Sequence, residues 1–207
     1  MSKVLLINGS PHAKGCINRA LIEICKILNE ENIETEIIQV GQKDIRGCIG
    51  CYKCQETGKC VFDDIVNEIA KKFRECDGLI VGSPVYYAGA NGTLIAFLNR
   101  LFFSSGFDPT MKVGAAVVSA RRGGCTSTFD ELNKFFTMSG MPVVSSQYWN
   151  QVHGFTQEDV EKDIEGLQTM RTLARNMSFL IKSIELGKEK FGCVPQREAF
   201  IRTNFIQ

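Results

Sequence analysis

Short apolar segments alternate with longer amphipathic segments along most of the chain. Each short segment has few polar residues, which is typical of a strand buried on both faces of a sheet. These predicted strands cover residues 4–7, 34–40, 78–81, 112–120 and 141–145. In the longer segments apolar residues recur every three or four positions, which predicts helices with one buried face. The predicted helices cover residues 17–28, 63–75, 91–101, 126–139 and 158–186.

This alternation predicts an α/β domain whose five-stranded parallel sheet is covered by helices on both faces. The five units fit a doubly wound sheet with the strand order 2-1-3-4-5. Right-handed crossovers place the carboxyl ends of all strands at one edge, where ligands bind in such folds. We expect the domain to span residues 1–190, and residues 191–207, which show no clear period, to form a C-terminal tail.

The loop after the first strand reads NGSPHAKG and leads into a helix. Unpaired N–H groups at a helix N-terminus favour an anion, and Gly9 and Gly15 let the backbone approach it closely. Ser10 adds a hydroxyl group, and His12 or Lys14 can add positive charge. The loop has neither the G-x-G-x-x-G pattern of dinucleotide sites nor the G-K-[ST] ending of a Walker loop. This loop alone leaves open an ordinary turn without a ligand.

Two further loops leave the same edge of the predicted sheet. Residues 83–92 read SPVYYAGANG, in which aromatic and small residues are adjacent. This composition suits a flat ring that stacks on a side chain and lies close to the backbone. The same sequence would also fit a tight turn with two surface tyrosines and no ligand. Residues 119–124 read SARRGG, and the two arginines are either ligand contacts or solvated charges. The three loops together predict a ligand site.

In this order the loops resemble the motifs of NAD(P)H-dependent FMN reductases in the flavodoxin-like superfamily. The resemblance covers residues 3–145 and implies the flavodoxin-like fold, FMN as cofactor and NAD(P)H as co-substrate. The first loop would hold the FMN phosphate, and the other two would contact the flavin ring. The chain departs from the family pattern at His12, often Arg or Lys, and at Cys16 and Ile17, often Ser or Asn and then Thr. The residues implied for FMN are Ser10, Pro11, His12, Gly15, Cys16, Ile17, Asn18, Pro84, Val85, Tyr86, Tyr87, Ala88, Ser119, Arg121, Arg122, Gly123 and Gly124.

Four of the nine cysteines are close together in the sequence, at Cys48, Cys51, Cys54 and Cys60. Their thiolates could surround one metal centre, since the intervening glycines allow the loop to fold tightly. The spacing resembles the compact motif of iron–sulfur flavoproteins, which implies a [4Fe–4S] cluster beside FMN. Relatives without a cluster share this run, so a cluster, a zinc ion and free thiols all stay open, and free thiols are favoured.

Composition indicates which partners the protein binds and in which compartment it resides. A formal net charge of +1 gives no electrostatic reason to bind nucleic acid or an anionic membrane. No apolar run reaches the ~18 residues needed to span a bilayer. The N-terminus runs directly into the first strand, and an odd number of cysteines argues against a disulfide scaffold. We therefore expect a cytoplasmic protein.

The resulting expectation is an FMN-dependent oxidoreductase that passes electrons from NAD(P)H to a small-molecule acceptor or a redox protein. Because the flavin carries the chemistry, no catalytic side chain is named. The alternatives are an iron–sulfur flavoprotein that exchanges single electrons, and a partner-binding module without a cofactor. The segment of residues 148–154, with His153, either caps a flavin or forms a packed loop. A homodimer or homotetramer is expected from aromatic residues near the carboxyl edge, which are Tyr86, Tyr87, Phe102, Phe103, Phe107, Tyr148 and Trp149.

Overall fold

The computed structural model of the protein describes residues 2–199, 201, 203 and 205. These residues form the strands β1 Lys3–Asn8, β2 Glu34–Gln39, β3 Gly78–Tyr86, β4 Gly89–Ala90, β5 Val113–Ala120 and β6 Gln151–His153. Five strands are parallel in the order β2-β1-β3-β5-β6, and the short β4 pairs antiparallel with the end of β3. With β4 left aside this is the predicted order 2-1-3-4-5, so the doubly wound flavodoxin-like fold is confirmed.

Helices cover both faces of the sheet. Within the described residues they are α1 Cys16–Glu30, α2 Lys53–Thr57, α3 Ile65–Glu75, α4 Gly92–Ser104, α5 Cys125–Met138, α6 Gln157–Lys162 and α7 Ile164–Phe191. On β1, Val4 and Leu6 face the core under α1 and α7, whereas Leu5 and Ile7 face the core under α3, α4 and α5. All four side chains are fully buried, as the uninterrupted apolar run predicts for a central parallel strand.

The prediction of a fifth strand at residues 141–145 is wrong. Val143 forms only an isolated bridge with Gly114, and the partner strand of β5 is β6, further along the chain. Pro142 lacks the N–H group that a continuous ladder needs. Between the two pieces the side chain of Asn150 substitutes for the ladder, because its Nδ2 donates to the Ala116 carbonyl at 3.1 Å. The edge strand is therefore split.

The single helix predicted over residues 158–186 is also wrong, because the helix divides at Asp163. This residue has a non-helical backbone (φ −80°, ψ 72°), and its carboxylate accepts hydrogen bonds from the N–H of Gly166 at 2.9 Å and of His153 at 2.6 Å. It thereby caps α7 and ties that helix to the end of β6. The short helix α2, within the cysteine loop, was not predicted either.

The division of the chain at residue 190 stays a prediction. Helix α7 ends at Phe191, and Arg197 of the following segment pairs with Asp108 at 3.9 Å. Residues 200, 202, 204, 206 and 207 of the expected tail lie outside the described residues. Among the helices that the structure describes, none combines the length and apolar character required to cross a membrane.

Candidate functional site

The loops that follow β1, β3 and β5 meet around a cavity of about 540 Å³ at the carboxyl edge of the sheet. About half of the predicted cofactor residues line it, and these are Ser10, His12, Gly15, Cys16, Pro84, Val85, Tyr86, Ser119 and Arg121. The other predicted residues lie outside the lining, and these are Pro11, Ile17, Asn18, Tyr87, Ala88, Arg122, Gly123 and Gly124. The wall is completed by Lys14, Ala120 and residues 154–158.

The loop after β1 turns tightly and leaves the start of α1 without a side-chain cap. Ser10 is 3% exposed, donates its N–H to Asn8 Oδ1 at 3.0 Å, and accepts a hydrogen bond from the N–H of His12 on its hydroxyl at 3.1 Å. Gly15 is the N-cap residue of α1, and the first turn contains no acidic side chain. The first N–H groups of the helix therefore have no partner within it. Since Gly15 and Cys16 line the cavity, this helix end is available to an anion there.

Two of the three departures from the family pattern in this loop, Cys16 and Ile17, make contacts with other parts of the chain. The thiol of Cys16 donates to the Thr156 carbonyl at 3.3 Å, and burial raises its pKa, so the group stays neutral at neutral pH. Ile17 is 1% exposed and packs so closely on β3 that a Cβ at Gly82 would lie 2.6 Å from its Cγ2. Neither side chain is therefore free to bond a ligand in the cavity.

Strands β3 and β4 form a hairpin with Tyr87 and Ala88 in its two-residue turn. Their φ angles are 50° and 60°, which suit a type I′ turn but strain residues other than Gly, Asn and Asp. Helix α5 holds this turn, because the Ser127 hydroxyl donates to the Ala88 carbonyl at 2.6 Å and the Glu131 carboxylate accepts from the Ala90 N–H at 2.8 Å. Backbone strain maintained by neighbouring contacts often marks a functional loop.

The loop after β5 packs against this hairpin. Gly124 has a φ of 91°, and a Cβ at this position would lie 2.7 Å from Val85 Cγ1. Only glycine therefore lets the two loops approach. Both arginines of the loop are exposed, but Arg121 lines the cavity and Arg122 does not, so Arg121 is the one placed to contact a ligand.

The four clustered cysteines converge on a second, apolar pocket against the C-terminal half of α4. Burial raises the pKa of the Cys54 thiol, and the nearness of the other three cysteines raises it further. Within the described residues, no three His, Cys, Asp or Glu side chains are grouped to hold a single metal ion. A [4Fe–4S] cluster is larger and takes one thiolate per iron, so four convergent thiols fit it. The lining residues are Cys48, Ile49, Cys51, Tyr52, Cys54, Cys60, Val61, Phe62, Arg100, Phe103 and Ser104.

The cysteine pocket lies away from the carboxyl edge. The loop starts at that edge, where Gly41 is packed directly against Ser10. The cysteines, however, contact α4 at Arg100 and beyond, and Arg100 lies roughly 12 Å along the helix from Gly92. The described lining residues of the two cavities do not overlap. The resemblance implied a cluster beside FMN. In the structure, part of α4 separates the two cavities within the chain.

Comparison with known proteins identifies the family. The sequence profile described as "NADPH-dependent FMN reductase" matches residues 2–156. The chain belongs to this family. It is also 37% identical over 191 residues to an iron–sulfur flavoprotein of Methanocaldococcus jannaschii, and the match covers 88% of this chain and 99% of that protein. Membership in the NADPH-dependent FMN reductase family makes the protein a flavin oxidoreductase.

Solved structures agree with this assignment at the level of the fold. RosB, described with bound 8-demethyl-8-formylriboflavin-5′-phosphate, superposes with a TM-score of 0.73 at 16% identity, covering 100% of this chain and 93% of RosB. An archaeal flavodoxin superposes with a TM-score of 0.58 at 16% identity, covering 88% of this chain and 99% of the flavodoxin. At these identities the likeness shows the flavodoxin-like fold alone.

One wall of the FMN reductase cavity was missed by sequence reasoning. Residues 154–158 follow β6 and line the cavity beside the start of α1, where Cys16 contacts the Thr156 carbonyl at 3.3 Å. They are held by a capping box, in which Thr156 accepts from the N–H of Asp159 at 3.4 Å and Asp159 accepts from the N–H of Thr156 at 3.2 Å. Phe155 is left 79% exposed at the rim. The T-x-x-D spacing of Thr156 and Asp159 is a helix-start signal that could have found this segment.

His153 lies beside this wall rather than in the cavity. Its Nδ1 is 3.2 Å from the Ala120 carbonyl oxygen and its Nε2 is 3.2 Å from Gln151 Nε2. It lines a separate cavity of about 250 Å³ together with Tyr148 and Trp149, whose rings meet edge to face at 4.7 Å. These contacts fit a packed loop, and the capping role expected as the alternative stays a prediction.

Proposed function

We propose that the protein is an iron–sulfur flavoprotein that binds FMN at the carboxyl edge and a [4Fe–4S] cluster on the cysteine loop. The observation that carries this proposal is the convergence of four cysteines from one loop on one apolar pocket. Curated relatives described as iron–sulfur flavoproteins support it, since the match extends over the whole length of the M. jannaschii protein. This weighs against the free thiols that the sequence alone favoured.

The cavity at the carboxyl edge suits a flavin that carries one phosphate group. The uncapped start of α1 would hold the phosphate through its backbone N–H groups, with Lys14 at the cavity wall to offset its charge. The hairpin and Arg121 would border the ring. FMN bound there would supply the exchange of electrons singly or in pairs. The chain contributes orientation and leaves part of the ring open to a partner.

The cysteine loop would provide the second redox group. All nine cysteines are free in the structure, so the four thiols are available as ligands. The cluster would supply one-electron exchange. Cys48 and Cys51 are exposed, which leaves this group accessible to a redox partner in solution. We therefore propose electron-carrier proteins as partners and, given the free thiols, the cytoplasm as the compartment.

A second candidate function is the reduction of a small-molecule acceptor with NADH or NADPH. The family to which the chain belongs is described as NADPH-dependent, which favours this candidate. The two functions differ in the electron donor that reduces the protein. Anaerobic mixing with NADH, with NADPH and with a reduced ferredoxin separates them, with flavin absorbance followed in each case. Fast bleaching by the ferredoxin alone supports the electron carrier, whereas fast bleaching by NADPH alone supports the reductase.

We propose that the protein assembles as a homodimer or homotetramer. Phe102 and Phe107 do not contribute to the expected interface, because both pack against Phe73 at ring distances of 5.6 Å and 5.1 Å. The aromatic side chains that remain exposed still support the proposal, and these are Tyr86, Tyr87, Phe103, Tyr148 and Trp149.

A further inference from the structure

Arg100 is a buried cation in the wall of the cysteine pocket. Its side chain is 1% exposed, although it lies in the C-terminal half of α4 among apolar neighbours. A charge removed from water is costly unless it is paired and hydrogen-bonded. The contacts of this side chain therefore indicate what it does.

The guanidinium has an acceptor for each of its five N–H groups. Nη1 and Nη2 hold the two carboxylate oxygens of Asp64 at 2.6 Å and 2.9 Å. The same nitrogens donate to the Arg46 carbonyl at 3.2 Å and to the Phe62 carbonyl at 3.4 Å. The remaining donor, Nε, points at Cys60 Sγ at 3.2 Å. One side chain thus joins the beginning and the end of the cysteine loop and contacts one of its sulfurs.

The bond to sulfur has an electronic consequence if that sulfur ligates iron. Hydrogen bonds to ligand sulfurs are among the factors that set the potential of an iron–sulfur cluster. A donor at Cys60 stabilises negative charge on the sulfur, and the reduced cluster carries more negative charge than the oxidised one. Such a bond therefore raises the reduction potential. Asp64 acts in the opposite direction, because its carboxylate offsets the positive charge of Arg100.

We propose that Arg100 is a positioning residue that orients Cys60 and raises the reduction potential of the cluster, and that Asp64 limits this increase. The inference rests on the cluster of the proposed function. It predicts that neutral substitutions of Arg100 and of Asp64 shift the cluster potential in opposite directions. A purely structural role in holding the loop predicts effects of the same sign, since either variant would loosen the loop.

The test compares Arg100→Gln with Asp64→Asn in anaerobically purified full-length protein. Asn retains an N-cap side chain for α3, where Asp64 now accepts from the Val66 N–H at 3.1 Å. Arg74→Gln is the matched control, because Arg74 bonds the carbonyls of Ser105 and Gly106 and lies outside the lining of the cysteine pocket. The readout is the cluster midpoint potential, measured by a redox titration followed by electron paramagnetic resonance. Iron content and the flavin midpoint are measured in parallel.

Arg100→Gln is expected to lower the equilibrium constant for one-electron reduction of the cluster about tenfold, which lowers the midpoint potential by ~59 mV. Asp64→Asn is expected to shift it upward, and the control and the flavin midpoint should not move. If Arg100→Gln loses its iron, the midpoint potential of Asp64→Asn decides the test alone. A higher cluster potential in this variant supports the inference, and an unchanged potential contradicts it. Cluster potentials that stay at the wild-type value, or shift in the same direction in both variants, overturn the inference. Wild-type protein without iron overturns the proposed function itself.

Discussion

A charge placed in the phosphate loop provides a direct test of the flavin site. Ser10 is almost fully buried at the cavity, between Asn8 and the turn that leads into α1. Ser10→Glu puts a carboxylate where the proposed phosphate binds, and Ser10→Gln puts a neutral side chain of nearly the same size there. Both variants lose the serine hydroxyl, which accepts from the His12 N–H. The difference between them therefore isolates the charge.

The expected size follows from Coulomb's law. Two unit charges ~4 Å apart repel by about 4 kcal/mol at the effective dielectric constant of ~20 that applies near a protein surface. At 1.4 kcal/mol per tenfold change, the Glu variant should bind FMN roughly 10²–10³ times more weakly than the Gln variant. Titration of apoprotein with FMN at fixed ionic strength, followed by quenching of flavin fluorescence, measures both dissociation constants. Equal constants for two folded variants would refute the assignment of this loop to the phosphate.

Further predictions concern stability, the hairpin, the cysteines and assembly. Burial would raise the pKa of Glu23, but bonds from Arg171 at 2.6 Å and Arg19 at 3.0 Å hold it below its ordinary value. Glu23→Gln should therefore lower the free energy of unfolding by about 2 kcal/mol at neutral pH. This loss should vanish as the pH falls through the folded pKa, since a depressed pKa stabilises only above it. Tyr87→Asn with Ala88→Gly should raise the unfolding free energy by about 1 kcal/mol, because these residues suit a type I′ turn. Light scattering at micromolar concentration should show at least a dimer of the 23.0 kDa chain. Single substitutions by Ser should each lower iron content while flavin content is retained, at Cys48, Cys51, Cys54 and Cys60.

Each of these predictions has a control or a contradicting result. Glu30→Gln, at an exposed site on the same helix, should leave stability nearly unchanged, and an equal loss there would remove the special role of Glu23. A hairpin double variant no more stable than wild type would show that the positive φ angles carry little strain. Ser substitution of the scattered, buried Cys125 should leave iron content unchanged. A species of ~23 kDa alone would contradict assembly.

Local patterns were sufficient to predict four of the five parallel strands and the three loops that meet at the cavity of the carboxyl edge. The strand β1 and its loop follow from a buried apolar run, two glycines and the start of an amphipathic helix, all adjacent in sequence. The split edge strand could not be predicted, because the side chain of Asn150 substitutes for the ladder through a contact with Ala116, far away in the sequence. Arg100 was missed for the same reason. It reads as an ordinary charged helix residue until the cysteine loop folds over it and Asp64 pairs with it.

The separation of the two cavities also depends on tertiary packing. The cysteine loop follows β2 in the chain, and its resemblance to iron–sulfur flavoproteins implies a position beside FMN. The loop instead extends along α4, because Arg100 joins its two ends and Cys54 contacts the Phe103 carbonyl at 3.8 Å. No short motif encodes this path.

Cofactor stoichiometry shows whether one chain carries both a flavin and a cluster. Anaerobically purified protein should be assayed for FMN, iron and acid-labile sulfide per chain, together with its visible spectrum. We expect one FMN and about four iron and four sulfide per chain, since four thiolates ligate one cubane cluster. Bound FMN with no iron, in protein that also fails anaerobic reconstitution, would contradict it.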